Sequence, residues 1–233
     1  MRTLAVLPVK RFGAAKQRLA RRLAPAARAE LAEAMLADVL AAASAAHALA
    51  TVAVVTAEPR AVRLAGSAGA EVVPEPGETG QSAAAADGIG HALAAGFERV
   101  LLLPGDTPLV AASDLDALLA RAAADALEAV IVPDRHGTGT NALVLSPPDV
   151  LAPSFGPDSL ARHRAGAQAA SLAWRVERVA ALEHDVDTPD DLDALAPALR
   201  STGGQRAQRT RGVLERAHLV SNEPGATAAG AGP

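Results

Sequence analysis

The sequence predicts an α/β fold in which a mostly parallel central sheet is covered by helices on both faces. Short apolar runs alternate with longer stretches of helical periodicity, a pattern typical of parallel strands that are connected by helices. Runs such as residues 4–9 and 99–103 are apolar at nearly every position, as expected for strands buried on both faces. A chain of 233 residues is long enough for one sizeable α/β domain and short for two.

The strands are predicted from apolar runs that end in glycine, proline or polar turn residues. We predict strands at residues 4–9, 51–56, 71–73, 99–103, 129–132, 142–145 and 174–179. Ligands of such sheets bind beyond the carboxyl ends of the strands, so polar residues that directly follow a strand are the first candidates for a functional site.

The helices are predicted from periodicity and from their end signals. Helical periodicity covers residues 17–46 with a break near Pro25, because proline interrupts a helix. Thr188 is a predicted N-cap and Pro189 the first helical residue after it. Further helices are predicted at residues 59–65 and 81–95, after Ser113 and near Ser159.

Composition excludes several classes of function. A net charge of −4 and an aromatic content of 2% argue against binding to nucleic acid. The absence of cysteine excludes disulfides and thiolate zinc sites, which leaves oxygen or imidazole ligands and favours magnesium or manganese. Residues 35–57 are apolar on average, but Asp38 and His47 interrupt them, so we expect a helix and a strand there rather than a membrane span. We therefore expect a cytoplasmic protein.

The character of the sequence changes near residue 201. Glycine, threonine, arginine and alanine dominate from there, and the last residues have no apolar periodicity. We expect residues 1–200 to form the folded domain and residues 201–233 to be a disordered tail, in which 213–220 could form a brief helix.

Lysine is confined to one loop. Of 22 basic residues only Lys10 and Lys16 are lysines, and both follow the first predicted strand, with Arg18 close by. Chance is one explanation; the other is a phosphate site, to which a compact ammonium is suited. The loop leads into a helix, where backbone N–H groups favour anions. It has neither the spacing of a Walker loop nor the glycines of a dinucleotide fingerprint.

Two acidic segments also follow strands. Asp106 stands at the end of the apolar run 99–103, where a carboxylate can hold a hard cation beside a phosphate or simply stabilise a turn. Asp185 and Asp187 point to the same side if their segment is extended, and either can supply a second carboxylate. Asp190 and Asp191 fit the first turn of a helix, where they complement its dipole.

Two glycine-containing turns are weaker candidates. The segment 135–141 contains Gly-Thr-Gly-Thr-Asn, which suits either a hairpin or close backbone approach to an anion. The segment 155–159, Phe-Gly-Pro-Asp-Ser, reads as a turn into a helix N-terminus, again a favourable geometry for an anion.

In this order, the motifs resemble the phosphoenolpyruvate or 2-phospho-L-lactate guanylyltransferases of coenzyme F-420 biosynthesis. The resemblance rests on Pro-Val-Lys at residues 8–10, Gly-Asp-Thr-Pro-Leu at 105–109, the two glycine-containing turns and Asp-Val-Asp-Thr-Pro-Asp-Asp-Leu at 185–192. It implies a three-layer, Rossmann-like nucleotidyltransferase fold of the GT-A-like type. Molybdenum-cofactor guanylyltransferases share this fold but usually open with paired glycines, which are missing here.

The resemblance also implies roles for individual residues. Asp106 and Asp187 would bind Mg²⁺, and Lys16 and Asp106 would be the catalytic residues. Thr140, Gly156 and Ser159 would hold phosphoenolpyruvate. The residues expected to contact the nucleotide are Lys10, Gly13, Lys16, Arg18, Gly80 and Ser82. Ser82 departs from the family, which commonly has asparagine there, so the preference for guanine is less firmly implied than the reaction.

The implied reaction is transfer of GMP from GTP to phosphoenolpyruvate or phospholactate, with release of pyrophosphate. The family's product is labile, which would suit a transient handover to the next enzyme of the pathway. The alternatives are a molybdenum-cofactor guanylyltransferase, a nucleotide-sugar glycosyltransferase with Asp185 and Asp187 as its acidic motif, and a non-catalytic nucleotide-binding protein.

Overall fold

The fold is taken from a computed structural model, which describes residues 1–75, 77, 80–202, 204–217 and 219. The strands are β1 (Thr3–Val9), β2 (Thr51–Thr56), β3 (Glu71–Pro74), β4 (Arg99–Leu102), β5 (Ala129–Pro133), β6 (Thr140–Leu145) and β7 (Trp174–Val176). The helices are α1 (Pro25–Ser44), α2 (Pro59–Ser67), α3 (Gln81–Ala94), α4 (Ala112–Ala124), α5 (Ser159–Ala169), α6 (Pro189–Ser201) and α7 (Gln208–Arg216).

The strands form one seven-stranded sheet in the order β3-β2-β1-β4-β6-β5-β7. All neighbouring pairs are parallel except those of β6, which runs antiparallel to both β4 and β5. β6 follows β5 through a tight turn in which the Asp134 carboxylate accepts a hydrogen bond from the Thr138 N–H (3.0 Å). The predicted, mostly parallel sheet is therefore confirmed, and the reversed strand arises from the one connection too short for a helix.

Helices cover both faces of this sheet. Alternate residues of β1 belong to different cores: Ala5 and Leu7 pack with α1, α2 and α4, whereas Leu4 and Val6 pack with α3 and α5. Such alternation follows from the strand period of two residues. The result is three layers, helix on sheet on helix.

The apolar stretch at residues 35–57 is divided between α1 and β2, as predicted. Met35 and Val39 on α1 are fully buried against the rest of the fold. None of the helices formed by the described residues is long and apolar enough to cross a membrane.

The C-terminal segment corrects the expectation of a disordered tail. Residues 208–216 form α7, whose Val213 and Leu214 are buried in a third core with α1 and α6. Asp38 on α1 accepts hydrogen bonds from the Thr210 N–H (2.9 Å) and hydroxyl (2.7 Å). The prediction of disorder is thus wrong for residues 204–217. The segment is polar on average, but the burial of Val213 and Leu214 and the hydrogen bonds of Thr210 to Asp38 hold it against the domain. Residues 220–233 lie outside the described residues.

Candidate active site

A cavity of about 250 Å³ lies at the carboxyl ends of β1 and β4. Its wall includes five of the residues that the sequence singles out: Lys10, Lys16, Gly80, Asp106 and Asp187. β1 and β4 are neighbours in the sheet, so the loops that follow them meet although they are distant in sequence. The sheet order therefore brings the lysine loop and the aspartates to one place.

Lys16 joins the two aspartates that the sequence selects as metal ligands. Its ammonium donates short hydrogen bonds to Asp106 and, at 2.8 Å, to Asp187. The Lys16 side chain is 8% exposed, whereas those of Asp106 and Asp187 are 26% and 51% exposed. Lys16 has left-handed backbone angles (φ 55°, ψ 37°), an unusual conformation for lysine. The site is thus a buried cation between two carboxylates that reach solvent.

The charges of this cluster stabilise one another. Burial by itself lowers the pKa of Lys16, but the negative charges of Asp106 and Asp187 outweigh burial and raise that pKa above its ordinary value. The positive charge of Lys16 is in turn the main cause that lowers the pKa of Asp187. Both groups are therefore charged at neutral pH.

Residues at the end of β2 hold the lysine loop, and the sequence reasoning missed them. The Glu58 carboxylate accepts a hydrogen bond from the Phe12 N–H (3.0 Å), and the Thr56 hydroxyl donates one to the Val9 carbonyl (2.8 Å). Both side chains are buried, at 8% and 2% exposure. The sequence could have indicated these two residues, because they stand at the end of β2. β2 neighbours β1, and residues at the ends of adjacent parallel strands lie close together.

Asp191 has a larger role than the helix-dipole role expected for it. One of its oxygens accepts hydrogen bonds from the N–H groups of Asp187 (3.0 Å) and Thr188 (2.7 Å), and from the Thr188 hydroxyl. Its other oxygen accepts from Nε (2.9 Å) and Nη2 (2.6 Å) of Arg135. Asp191 therefore fixes the backbone of Asp187 and ties it to the β5–β6 turn. Thr188 is the predicted N-cap of α6.

Asp185 is bound by Asn141, whereas Lys16 pairs with Asp106 and Asp187. Its carboxylate accepts a hydrogen bond from the side-chain amide of Asn141 (3.1 Å), which also donates to the Leu182 carbonyl (2.6 Å). Burial, with the nearby charge of Asp106, raises the pKa of Asp185 to about 6. Of the two aspartates that the sequence left open as the second carboxylate, Asp187 is the one that meets Asp106 around a shared cation.

The three residues expected to hold the acceptor acid do not line the cavity. Thr140 at the start of β6 pairs with His163 Nδ1 (2.9 Å), and Ser159, the first residue of α5, is 1% exposed. Gly156 has a φ of 104°, which only glycine adopts readily, and it is exposed in the turn before α5. They form a second group, beside α5, whose role in binding stays a prediction.

The remaining predicted nucleotide contacts also lie outside the cavity wall. Gly13 and Arg18 are exposed in the turns that flank Lys16. Ser82 in the first turn of α3 accepts a hydrogen bond from the Phe155 N–H (2.8 Å). Its side chain therefore points to the turn before α5 and not to the cavity.

The carboxylate pair fits a hard divalent cation. Mg²⁺ is commonly held by one or two carboxylates, with water and substrate phosphates completing its shell. Asp106 and Asp187 already converge on one cation, the Lys16 ammonium. Within the described part of the chain, no group of three or more acidic, histidine or cysteine side chains is arranged to hold a metal. The two carboxylates therefore suit a metal that arrives with phosphates as further ligands.

Comparisons with known proteins give a consistent result. The chain matches the family described as "Guanylyl transferase CofC like" over residues 3–202. It is 50% identical over 214 residues to a phosphoenolpyruvate guanylyltransferase from Conexibacter woesei, with 92% of this chain and 96% of that relative covered. It is also 38% identical over 213 residues to a 3-phospho-D-glycerate guanylyltransferase from Phenylobacterium zucineum, covering 90% and 94% of the two chains.

The fold is shared more widely. A protein from Desulfovibrio desulfuricans G20, assigned as a nucleotide-diphospho-sugar transferase, superimposes with a TM-score of 0.75 over 94% of this chain and 97% of its own. The two sequences are 18% identical, so this similarity concerns the fold alone. It confirms the predicted three-layer, Rossmann-like architecture.

Proposed function

Because this chain belongs to the CofC-like guanylyl transferase family, we propose that it transfers GMP from GTP to phosphoenolpyruvate and releases pyrophosphate. Phosphoenolpyruvate is proposed ahead of 2-phospho-L-lactate because the relative from Conexibacter woesei carries phosphoenolpyruvate in its name. The product would serve coenzyme F-420 biosynthesis, as the resemblance implies. The cytoplasmic location and the handover to a following enzyme stay predictions.

The observation that carries the proposal is the meeting of Lys16, Asp106 and Asp187 at the cavity. An acceptor phosphate oxygen attacks the α-phosphorus of GTP, and the bond from that phosphorus to the oxygen bridging the α- and β-phosphates breaks. A phosphate ester carries a charge of about −2 at pH 7, so the nucleophile needs no general base. What the protein must supply is alignment and stabilisation of the charge on the leaving pyrophosphate.

Each group has a proposed part in that task. Asp106 and Asp187 would hold Mg²⁺, which when bound supplies positive charge to the phosphates. Lys16 and the exposed Lys10 and Arg18 would contact the phosphates, with the backbone near Gly13.

The other two sets of candidate residues are assigned in this proposal to the two ends of the reactants. Gly80, which lines the cavity, is proposed for the nucleotide, whereas the Ser82 side chain is bound by the loop before α5. Thr140, Gly156 and Ser159 are proposed for the phosphate and carboxylate of the three-carbon acid, because they surround the N-terminus of α5.

The test is a panel of acceptors with a pyrophosphate readout. The protein is incubated with GTP, Mg²⁺ and, separately, phosphoenolpyruvate, 2-phospho-L-lactate or 3-phospho-D-glycerate. We expect pyrophosphate with phosphoenolpyruvate, and the third acid is included because of the relative named for it. Asp106→Asn should lower the rate by roughly a hundredfold or more, since it removes a proposed ligand of the Mg²⁺ whose positive charge would stabilise the phosphates. Asp193→Asn, at a side chain 60% exposed on α6, is the matched control and should retain the rate.

Absence of pyrophosphate with all three acids would contradict the proposal. Turnover with a molybdopterin acceptor or a nucleotide sugar would then favour one of the other enzymes of this fold. GTP binding that is independent of Mg²⁺ and survives Asp106→Asn would instead indicate a non-catalytic nucleotide-binding protein.

A further inference from the structure

The loop formed by residues 152–158 is hydrogen-bonded to one side chain of α3. The Phe155 N–H donates a hydrogen bond of 2.8 Å to the Ser82 hydroxyl oxygen. Among the residues that the structure describes, this is the one hydrogen bond between α3 and the loop. The residues just before Ser82, Gly80 and Gln81, line the cavity proposed to hold GTP.

The rest of the 152–158 loop is fixed to α5. His163 Nε2 accepts a hydrogen bond from the Ser154 N–H (2.8 Å), and the Phe155 ring packs edge-on against the His163 ring at 5.5 Å. The Arg162 guanidinium donates to the Ser154 hydroxyl (2.7 Å) and to the carbonyls of Ser154 (2.9 Å) and Phe155 (3.1 Å). The loop and α5 therefore form one unit, and Ser82 connects this unit to α3.

The Ser82 side chain points to the 152–158 loop and not into the cavity. Its oxygen is engaged by a backbone N–H of the loop. Ser82 is absent from the cavity wall, although Gln81 and Ala84, on either side of it along the chain, belong to that wall. A residue that recognised the base would be expected there. Ser82 instead lies between the nucleotide side of the site and the segment that contains Gly156.

We propose that Ser82 is a positioning residue that holds the 152–158 loop at a fixed distance from the nucleotide, and that it does not read the base. This inference rests on the proposed function, in which the loop helps to bind the three-carbon acid. Alignment of two reactants is sensitive to displacements of about 1 Å, so a loop released from α3 should present the acid poorly.

The same contact couples the two substrates. A nucleotide that orders the first turn of α3 also orders Ser82 and, through it, the loop. Binding of one substrate should then favour the other by the same factor, because such coupling is reciprocal. One neutral hydrogen bond corresponds to about a fivefold effect on an equilibrium.

Ser82→Ala can be followed directly at the hydrogen bond. The chain has 3 phenylalanines, so protein labelled with ¹⁵N-phenylalanine shows three backbone amides. The Phe12 N–H is bound by Glu58 and the Phe97 N–H by the Ala92 carbonyl, which makes both of them internal controls. We expect hydrogen exchange at Phe155 to become about tenfold faster in Ser82→Ala, with the other two amides unchanged.

Binding and kinetics separate positioning from base recognition. In Ser82→Ala we expect the KM for phosphoenolpyruvate at saturating GTP to rise about fivefold, and the Kd for a non-hydrolysable GTP analogue to stay within about twofold. Ser67→Ala removes an exposed hydroxyl at the end of α2 and should leave all three measurements unchanged.

Two outcomes would overturn the inference. One is unchanged exchange at Phe155, which would mean that Ser82 does not hold the loop. The other is weaker binding of the GTP analogue with an unchanged KM for the acid, which would assign Ser82 to the nucleotide. If no acid gives pyrophosphate, the proposed function fails, while the exchange and analogue-binding measurements still decide what Ser82 does.

Discussion

At the scale of single residues, the candidate site depends on charges that compensate one another. Lys16 is nearly buried and remains charged because Asp106 and Asp187 lie against it. Removing one partner of such a cluster leaves the others without compensation, which usually costs more than the cluster contributes. The free-energy cost of removing one charge is smaller here, because Asp187 is half exposed and water screens its charge.

Lys16→Met should therefore destabilise the metal-free protein by about 2 kcal/mol, below the 3–5 kcal/mol typical of fully buried pairs. The measurement is the free energy of urea unfolding in EDTA. Millimolar Mg²⁺ should restore part of the loss, since a cation can again lie between the two carboxylates. Lys10→Met is the matched control, because Lys10 is exposed and makes no ion pair with the described residues. Equal losses of stability in the two variants would contradict the inference that Lys16 compensates the charges of Asp106 and Asp187.

His163 gives a second prediction at this scale. Burial, followed by the charge of Arg162, lowers the pKa of His163 from 6.5 to about 4. Between these two values the unfolded chain binds a proton that the folded chain does not, so the stability contributed by neutral His163 is present above about pH 6.5 and lost towards pH 4. The lowered pKa therefore makes the free energy of unfolding about 3 kcal/mol larger above pH 6.5 than well below pH 4.

His163→Gln keeps an acceptor for the Ser154 N–H and removes the titration. We expect the variant to lose less stability than the unsubstituted protein between pH 7 and pH 4.5. Urea unfolding at the two values gives the comparison, in which the other titrating groups, Asp185 included, are common to both proteins. Parallel pH dependences would show that His163 is protonated at a similar pH in the folded and unfolded states.

At the scale of elements, α3 approaches the sheet closely through a glycine. A Cβ on Gly88 would lie 2.2 Å from Val6 Cγ1 and 3.2 Å from Val55 Cγ2, so the helix rests directly on β1 and β2. This approach sets the height of α3 above the sheet, and with it the position of Gly80 and Ser82 at the helix N-terminus.

Gly88→Ala should destabilise the protein by about 1–3 kcal/mol, because the added methyl overpacks this contact. Gly90 lies in the same helix and provides the matched control, because no described atom outside the backbone of its own helix lies within 4 Å of the place that a methyl group would occupy there. Gly90→Ala should stabilise the protein by about 0.5–1 kcal/mol through helix propensity alone. Thermal unfolding of both variants tests the pair; the same sign of change in both would contradict the close approach.

At the scale of the whole molecule, α7 completes the fold. It buries Leu214 fully against α1 and α6, and Arg206 just before it donates hydrogen bonds to the Leu109 carbonyl (2.9 Å) and to Asp114 (2.6 Å). Leu109 is three residues beyond Asp106 in the chain. The C-terminal segment is thus attached to the loop that carries a candidate metal ligand.

Leu214→Ala should lower the free energy of unfolding by about 2–5 kcal/mol, as expected for a fully buried leucine. Gln208→Ala, at an exposed position of the same helix, should change it by less than about 0.5 kcal/mol. Chemical denaturation of the full chain distinguishes the two. A small effect of Leu214→Ala would mean that α7 is only loosely attached in solution.

The sequence determined the kind of fold and the chemistry available to it. Apolar runs of strand length separated by helical periodicity were sufficient for a mostly parallel sheet, because these patterns follow from local burial on two faces. Lys10 and Lys16 after β1 and Asp106 after β4 could be selected, because ligands of such sheets lie at the carboxyl ends of strands.

Only the tertiary structure decided which of these groups meet. Asp187 rather than Asp185 pairs with Lys16 across 171 positions of the sequence. Glu58 and Ser82 bind backbone groups of other segments, and Asp191 binds the Arg135 side chain of the β5–β6 turn. Strand order and helix docking bring these partners together, and no local pattern encodes that order. The docking of α7 was missed for the same reason: its few apolar residues are buried by the neighbouring α6 and by α1, which lies far away in the chain.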